Sequence, residues 1–211
     1  MKNILLSCFL FILSSVYAQY EWTEASLYLK NGTELVGLAM IRKEAASSPF
    51  TGKEKVFFKL SKESSKTKYK SKEIDSVRFK DIGLYTYIPI TPFHDKLMKV
   101  VSNKGRAQLF SFLVIVWYYH GDHSANTIME EYTGYYIQIE GEPYAFYIDP
   151  KRQDTHFRNK SSILFEDCPN IIQKLRAEAY NLRDIKTIVE DYNHCDLVPV
   201  KKKMKRSWLA F

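Results

Sequence analysis

Apolar and polar residues alternate through SLYLKNGTELVGLAMI (26–41) on both sides of Asn31-Gly32. A period of two marks a half-buried strand, and Asn-Gly suits a two-residue turn with positive φ at both central positions, so the stretch predicts a β-hairpin. VFFKL (56–60) follows a loop carrying Pro49 and Gly52, and IDSVRF (74–79) follows a lysine-rich stretch; both read as strands. Ile88-Pro-Ile-Thr-Pro92 then interrupts the pattern, because neither proline can donate to a central ladder. Beyond it, KLMKVV and RAQLFSFLVIVWYY flank Ser102-Asn-Lys-Gly105, while GYYIQIE and PYAFYID flank Gly141-Glu142, predicting two more hairpins. The run Leu109 to Tyr119 is too short to span a bilayer as a helix and reads as a central strand, covered on at least one face by helices.

Helical spacing begins only near the end. Asp167-Cys168-Pro169 reads as a helix start, with Asp167 as cap and Pro169 in the first turn, followed by Ile171, Ile172, Leu175 and Ala179. Asn181 and Asp184 form a second capping pair ahead of Leu182, Ile185, Ile188, Val189 and Tyr192 on one face. A tight turn near Tyr180-Asn181 makes the two helices antiparallel. The pattern therefore predicts an α+β protein. Residues 19–87 form a small β-rich barrel or roll, 88–95 a Pro-containing linker, 96–195 an antiparallel β-meander packed with a helical hairpin, and 196–211 a basic tail.

The order of the first part, an Asn-Gly hairpin with Gly37 in its second strand, a further strand, a variable loop and a short closing strand, resembles SH3-like or Sm-like small barrels over residues 25–80. The resemblance implies a fold and no ligand, since the RNA-contacting loop residues of Sm proteins have no match in this chain.

Residues 1–18, MKNILLSCFLFILSSVYA, change which chemistry is possible. Lys2, the apolar stretch Ile4 to Leu13, and Val16 and Ala18 make the three-part pattern of a cleaved signal peptide. Cleavage after Ala18 would leave 193 of the 211 residues and, with Lys2 removed, a net charge of +6 in place of +7. An exported basic chain favours anionic partners: an acidic polysaccharide, a lipid surface or another envelope protein. A specific nucleic-acid role does not fit that address, and nothing else in the chain is long and apolar enough to make an integral membrane protein.

Export also sets the state of the cysteines. Cys168 and Cys195 survive cleavage, and the antiparallel helices bring the start of the first beside the end of the second, which predicts a disulfide. The competing reading pairs Cys195 with His194 as a nucleophile and its base.

Three stretches bear on function. In WYYHGDHSAN (117–126), His120, Asp122 and His123 offer imidazole and carboxylate ligands of the kind zinc takes, at the end of the longest strand and the start of a polar loop reaching Thr133. The stretch partly resembles the HxHxDH signature of metallo-β-lactamase-like hydrolases, without its first His-x-His. The alternative is a turn built on Gly121-Asp122, with Asp122 bonding its own backbone. In SKESSKTKYKSK (61–72), Lys66, Lys68 and Lys70 stand among five lysines around Tyr69. They could grip an anionic polymer with Tyr69 stacking on it, or they guard a strand edge. The tail Lys201, Lys202, Lys203, Met204, Lys205, Arg206 and SWLAF reads as a basic segment whose Trp208 and Phe211 could touch a membrane or partner.

No Gly-rich phosphate loop, Gly-x-Ser-x-Gly elbow, Cys-x-x-Cys pair or His-Glu-x-x-His helix occurs, which removes the common signatures of enzymes and of bound cofactors. Val16-Tyr-Ala-Gln19, the Asn-Gly hairpin, Asp167-Cys168-Pro169 and Tyr192-Asn193-His194-Cys195 together resemble a group of uncharacterised exported proteins of Bacteroidota-type Gram-negative bacteria. The expectation is a non-enzymatic binding or structural module of the cell envelope. The alternative is a metal-dependent hydrolase built on His120, Asp122 and His123. In a eukaryotic host, Asn31-Gly-Thr and Asn159-Lys-Ser would be glycosylation sites.

Overall fold

A computed structural model describes residues 21–43, 54–119, 127–149 and 154–196. The chain divides into two compact units between Tyr87 and Ile88. The protein is a β-rich antiparallel sheet structure with three short helices.

The first unit holds β1 (Thr23–Leu29), β2 (Glu34–Lys43), β3 (Glu54–Lys59), β4 (Thr67–Tyr69), β5 (Ile74–Phe79) and the start of β6 (Gly83–Thr91). Its strand order is β6-β5-β1-β2-β3-β4, with β5 returning beside β1. The sheet is not closed into the expected small barrel, and register gives the reason. The edge of β5 that would close the barrel is taken by β6, from Ser76↔Thr86 to Phe79↔Gly83. Closure is the usual way to remove an edge; here β4, only three residues long, stays terminal in the strand order.

The Asn-Gly hairpin forms with a different turn from the one expected. Gly32 has φ +85°, whereas Glu178 is the only non-glycine with positive φ among the described residues. The Leu29 N–H donates to the Thr33 carbonyl and the Gly32 N–H to the Leu29 carbonyl, both at 2.9 Å, so the loop has three residues. This is a three-residue loop with a left-handed glycine at its end, and only that last position needs glycine. Asn31 serves differently, accepting the Thr33 N–H on its side chain at 3.0 Å.

Alternation then sorts the faces. Leu27, Val56, Ile74 and Val77 are fully buried on one face, while Ser26, Val36, Phe57 and Arg78 share the other.

The second unit holds the rest of β6, then β7 (His94–Ser102), β8 (Ala107–Tyr119), β9 (Thr127–Ile139) and β10 (Phe146–Ile148), in the order β10-β9-β8-β7-β6. Helices α1 (Asp154–Leu164), α2 (Pro169–Arg176) and α3 (Ile185–Asn193) follow, with a 3-10 turn at Leu182–Asp184. The expected linker is strand: residues 88–91 end β6 and 94–95 begin β7. Proline removes a donor but keeps its acceptor, and the Pro89 carbonyl takes the Ala145 N–H at 2.9 Å. The expected loop to Thr133 is also shorter, because β9 starts at Thr127 and pairs residue by residue with β8 from Tyr119↔Thr127 to Ala107↔Ile139.

Strand β8 lies between β7 and β9 and has buried apolar residues on both faces, which explains an apolar run broken from Leu109 onward only by Ser111. Leu109 and Ile137 pack with Phe157, Leu164, Ile171 and Ile188 of the helices. Phe110, Phe112, Val114 and Tyr136 pack on the other side with Ile90 and Met98.

Asn181 caps the 3-10 turn as expected, accepting the Arg183 N–H at 2.9 Å while Asp184 accepts the Asn181 N–H at 2.9 Å. Asp167 is not the cap of α2: Cys168 holds that position without a side-chain bond, and Asp167 accepts the Tyr192 hydroxyl at 2.9 Å instead. Cys168 and Cys195 form the expected disulfide, their Cα atoms 6.0 Å apart. Helix α1 was not foreseen; Phe157, Ser161 and Leu164, its buried residues at positions i, i+4 and i+7, were the available signal.

Candidate functional site

The lysine-rich hairpin is ordered by the β3–β4 register, Val56↔Tyr69, Phe57↔Lys68 and Phe58↔Thr67. Cross-strand partners share a face, so Tyr69 lies with the buried Val56 and Phe58 and meets Phe58 edge to face at 6.5 Å between centroids. Lys68 lies on the outer face with Phe57. Lys66 comes to the same ring, with Nζ 5.7 Å from its centroid. One strand inward, Lys59 Nζ sits 4.3 Å from the centroid of the Trp22 ring and donates to the Lys62 carbonyl at 3.2 Å. The structure thus brings Lys66 and Lys68 together on Phe57 and turns Tyr69 away from them. Lys70 follows the strand end, exposed, its N–H donating to Glu73 at 2.8 Å. Phe57 and Trp22, unremarked in the sequence, are the aromatic partners. Their two-residue spacing from Lys55 and Lys59, and from Glu24 and Ser26, was the signal that they face outward.

The same outer face carries a shallow cleft of about 710 Å³ over β1, β2 and β5. Val36 and Leu60 line it at 69% and 67% exposure. Lys62, Arg78 and Lys80 are its cations and Glu24 its carboxylate, held by Lys80 at 2.7 Å. That pairing lowers the Glu24 pKa, chiefly through the hydrogen bond from Lys80, and raises the Lys80 pKa.

His120, Asp122 and His123 lie outside the described residues, as do Lys201, Lys202 and Lys203. Among the described residues, no group of three His, Cys, Asp or Glu side chains is placed to hold a metal ion. Cys195 is disulfide-bonded and has no thiol to act as a nucleophile, and the neighbouring His194 Nδ1 is 2.8 Å from the Glu190 carbonyl.

One polar constellation was not foreseen. Asp191 accepts from the Tyr180 hydroxyl and, at 2.8 Å, from Lys174 Nζ, which also reaches the Tyr180 oxygen at 2.9 Å. The Lys174 and Tyr180 hydrogen bonds lower the Asp191 pKa, while burial and the bond to Asp191 raise that of Tyr180. The Lys174 pKa is raised as well, first by the bond to Asp191. Each pKa is moved further from 7, so none of the three groups is poised to exchange a proton near pH 7; the cluster ties α2 to α3.

Among the described residues, no helix is long and apolar enough to cross a membrane. Compared with family models, curated proteins and solved structures, the chain matches none of them.

Proposed function

We propose that the protein is an exported module of the cell envelope that carries out no reaction of its own and holds an anionic envelope component on the outer face of its first unit. One observation carries this reading: Lys59, Lys66 and Lys68 lie on one sheet face, two of them seated on the Trp22 and Phe57 rings. An ammonium held over a ring is partly immobilised before a ligand arrives, which lowers the entropy cost of meeting an anion. The signal-like residues 1–18, the Cys168–Cys195 disulfide and the net charge of +6 that remains without those residues agree with export and an anionic partner.

The test is a binding titration of the purified protein against an acidic polysaccharide and against vesicles with and without anionic lipid, at two salt concentrations. Binding to at least one polyanion, weakened by salt and by Lys66→Glu combined with Lys68→Glu, is expected. Indifference to all the polyanions, or to that double substitution, defeats the reading.

A further inference from the structure

The cleft on β1, β2 and β5 is a trough running across the strands. Register sets its walls. Ser26 stands opposite both Val36 and Arg78, making one row, and Glu24 stands opposite Leu38 and bonds Lys80, making the other. Between them Ala25 and Phe79 turn their buried side chains to the opposite face, and Gly37 has none. Backbone therefore makes the floor, and the rows stand about 6.8 Å apart, twice the rise per residue. Leu60 and Lys62 close the end beyond β2.

The lining selects among ligands. Val36 and Leu60 present aliphatic surface to water at 69% and 67% exposure, a surface that a ligand would cover. The Arg78 guanidinium and the Lys62 ammonium have no bonded partner among the described residues, while the charge of Glu24 is offset by Lys80 at 2.7 Å. An anion with an apolar body meets these features. Sugar binding would call for a free aromatic platform, but Trp22 and Phe57 lie outside the lining and carry Lys59 and Lys66. An extended peptide gains most from main-chain bonds to a sheet edge, and β1, at the centre of the trough, is paired on both sides. An alkyl chain needs no such bonds.

We infer that this trough binds a single-chain amphiphile with a phosphate or carboxylate head, the head on Arg78 and the chain running past Ser26 and Val36 to Leu60. The inference rests on the reading above only in taking an anionic partner.

The experiment is titration calorimetry with dodecyl phosphate and with dodecanoate, each below its micelle concentration. Inorganic phosphate, acetate and the neutral dodecyl maltoside serve as comparisons. One alkyl anion per chain is expected, with little heat from the three comparisons. Val36→Asp and Arg78→Glu, both at exposed positions, should each weaken binding at least about tenfold, since a buried aliphatic or a charge-assisted bond is worth that much. Equal binding of the maltoside, full competition by inorganic phosphate, an adventitious interaction that ignores both substitutions, or no binding at all would overturn the inference. Lys66→Glu with Lys68→Glu should leave the alkyl anions bound. If polyanion binding fails while the alkyl anions bind, the earlier reading alone falls; if the alkyl anions fail while a polyanion binds, the trough alone falls.

Discussion

The Asn193 side chain pairs with the backbone of Ala107 as a neighbouring strand would. Its Oδ1 accepts the Ala107 N–H at 2.7 Å, and its Nδ2 donates to the Ala107 carbonyl at 2.9 Å and to the Lys104 carbonyl at 2.9 Å. Beside it, Arg106 donates to the Tyr192 and Cys195 carbonyls, both at 2.7 Å. The end of α3 is thereby hydrogen-bonded to the start of β8, and the disulfide ties that end to the start of α2.

Asn193→Ala should cost about 3 kcal/mol, because three bonds go and partly buried backbone groups lose their partners. Gly105→Ala should also destabilise: Gly105 has φ +93°, and an added Cβ would run into Asn193. The two costs share that contact, so a urea-unfolding double-mutant cycle should give less than their sum. Strict additivity would contradict this account.

Removing the Cys168–Cys195 bond, which joins residues 27 apart, should cost about 3 kcal/mol through the freed chain entropy of the unfolded state. Cys168→Ala with Cys195→Ala should therefore melt several degrees lower than the oxidised protein. An unchanged melting temperature would show that the helices are held without the bond.

The Lys174–Tyr180–Asp191 cluster gives stability a pH dependence at both ends. Asp191 has a lowered pKa when folded, so its contribution is present above the unfolded carboxylate value near 4 and is lost as acid protonates it. Lys174 and Tyr180 have raised values, so theirs is present below about pH 10 and is lost as pH rises further. The Lys174 and Asp191 side chains are 39% and 35% exposed, so solvent keeps the effect small. Asp191→Asn should flatten the acid limb of a stability-against-pH curve between about pH 5 and 2. Parallel curves for the two proteins would rule the cluster out as their source.

Elemental analysis settles the hydrolase alternative. The purified protein should hold no stoichiometric zinc after incubation and dialysis. One ion per chain, lost in His120→Ala, would move the function to the stretch holding His120, Asp122 and His123.

The tyrosine at position 69 shows how far sequence reaches on the binding face. Five lysines around an aromatic residue suggest a stacking platform, yet neighbours in a strand alternate, so Lys68 and Tyr69 take opposite faces, and the pairing of Tyr69 with Val56 puts the ring on the buried one. Alternation states which residues share a face; register across strands decides which face is which, and register depends on turns whose lengths differ by a single residue. The Asn31-Gly32 loop, three residues long where two were expected, is such a case.

The sequence by itself determined the local features: the alternation in β1 and β2, the Asn181–Asp184 capping pair, the helix starting at Pro169 and the cysteines at the two helix ends. These follow from dihedral preferences and from side chains a few residues apart. Only the tertiary structure decided that β6 takes the open edge of β5, that Pro89 sits within a strand, that the polar start of β9 pairs with β8, and that Arg78, Ser26 and Val36 line one wall. Each of those depends on which distant strand lies alongside, a choice made by the burial of whole faces rather than by any short stretch of residues.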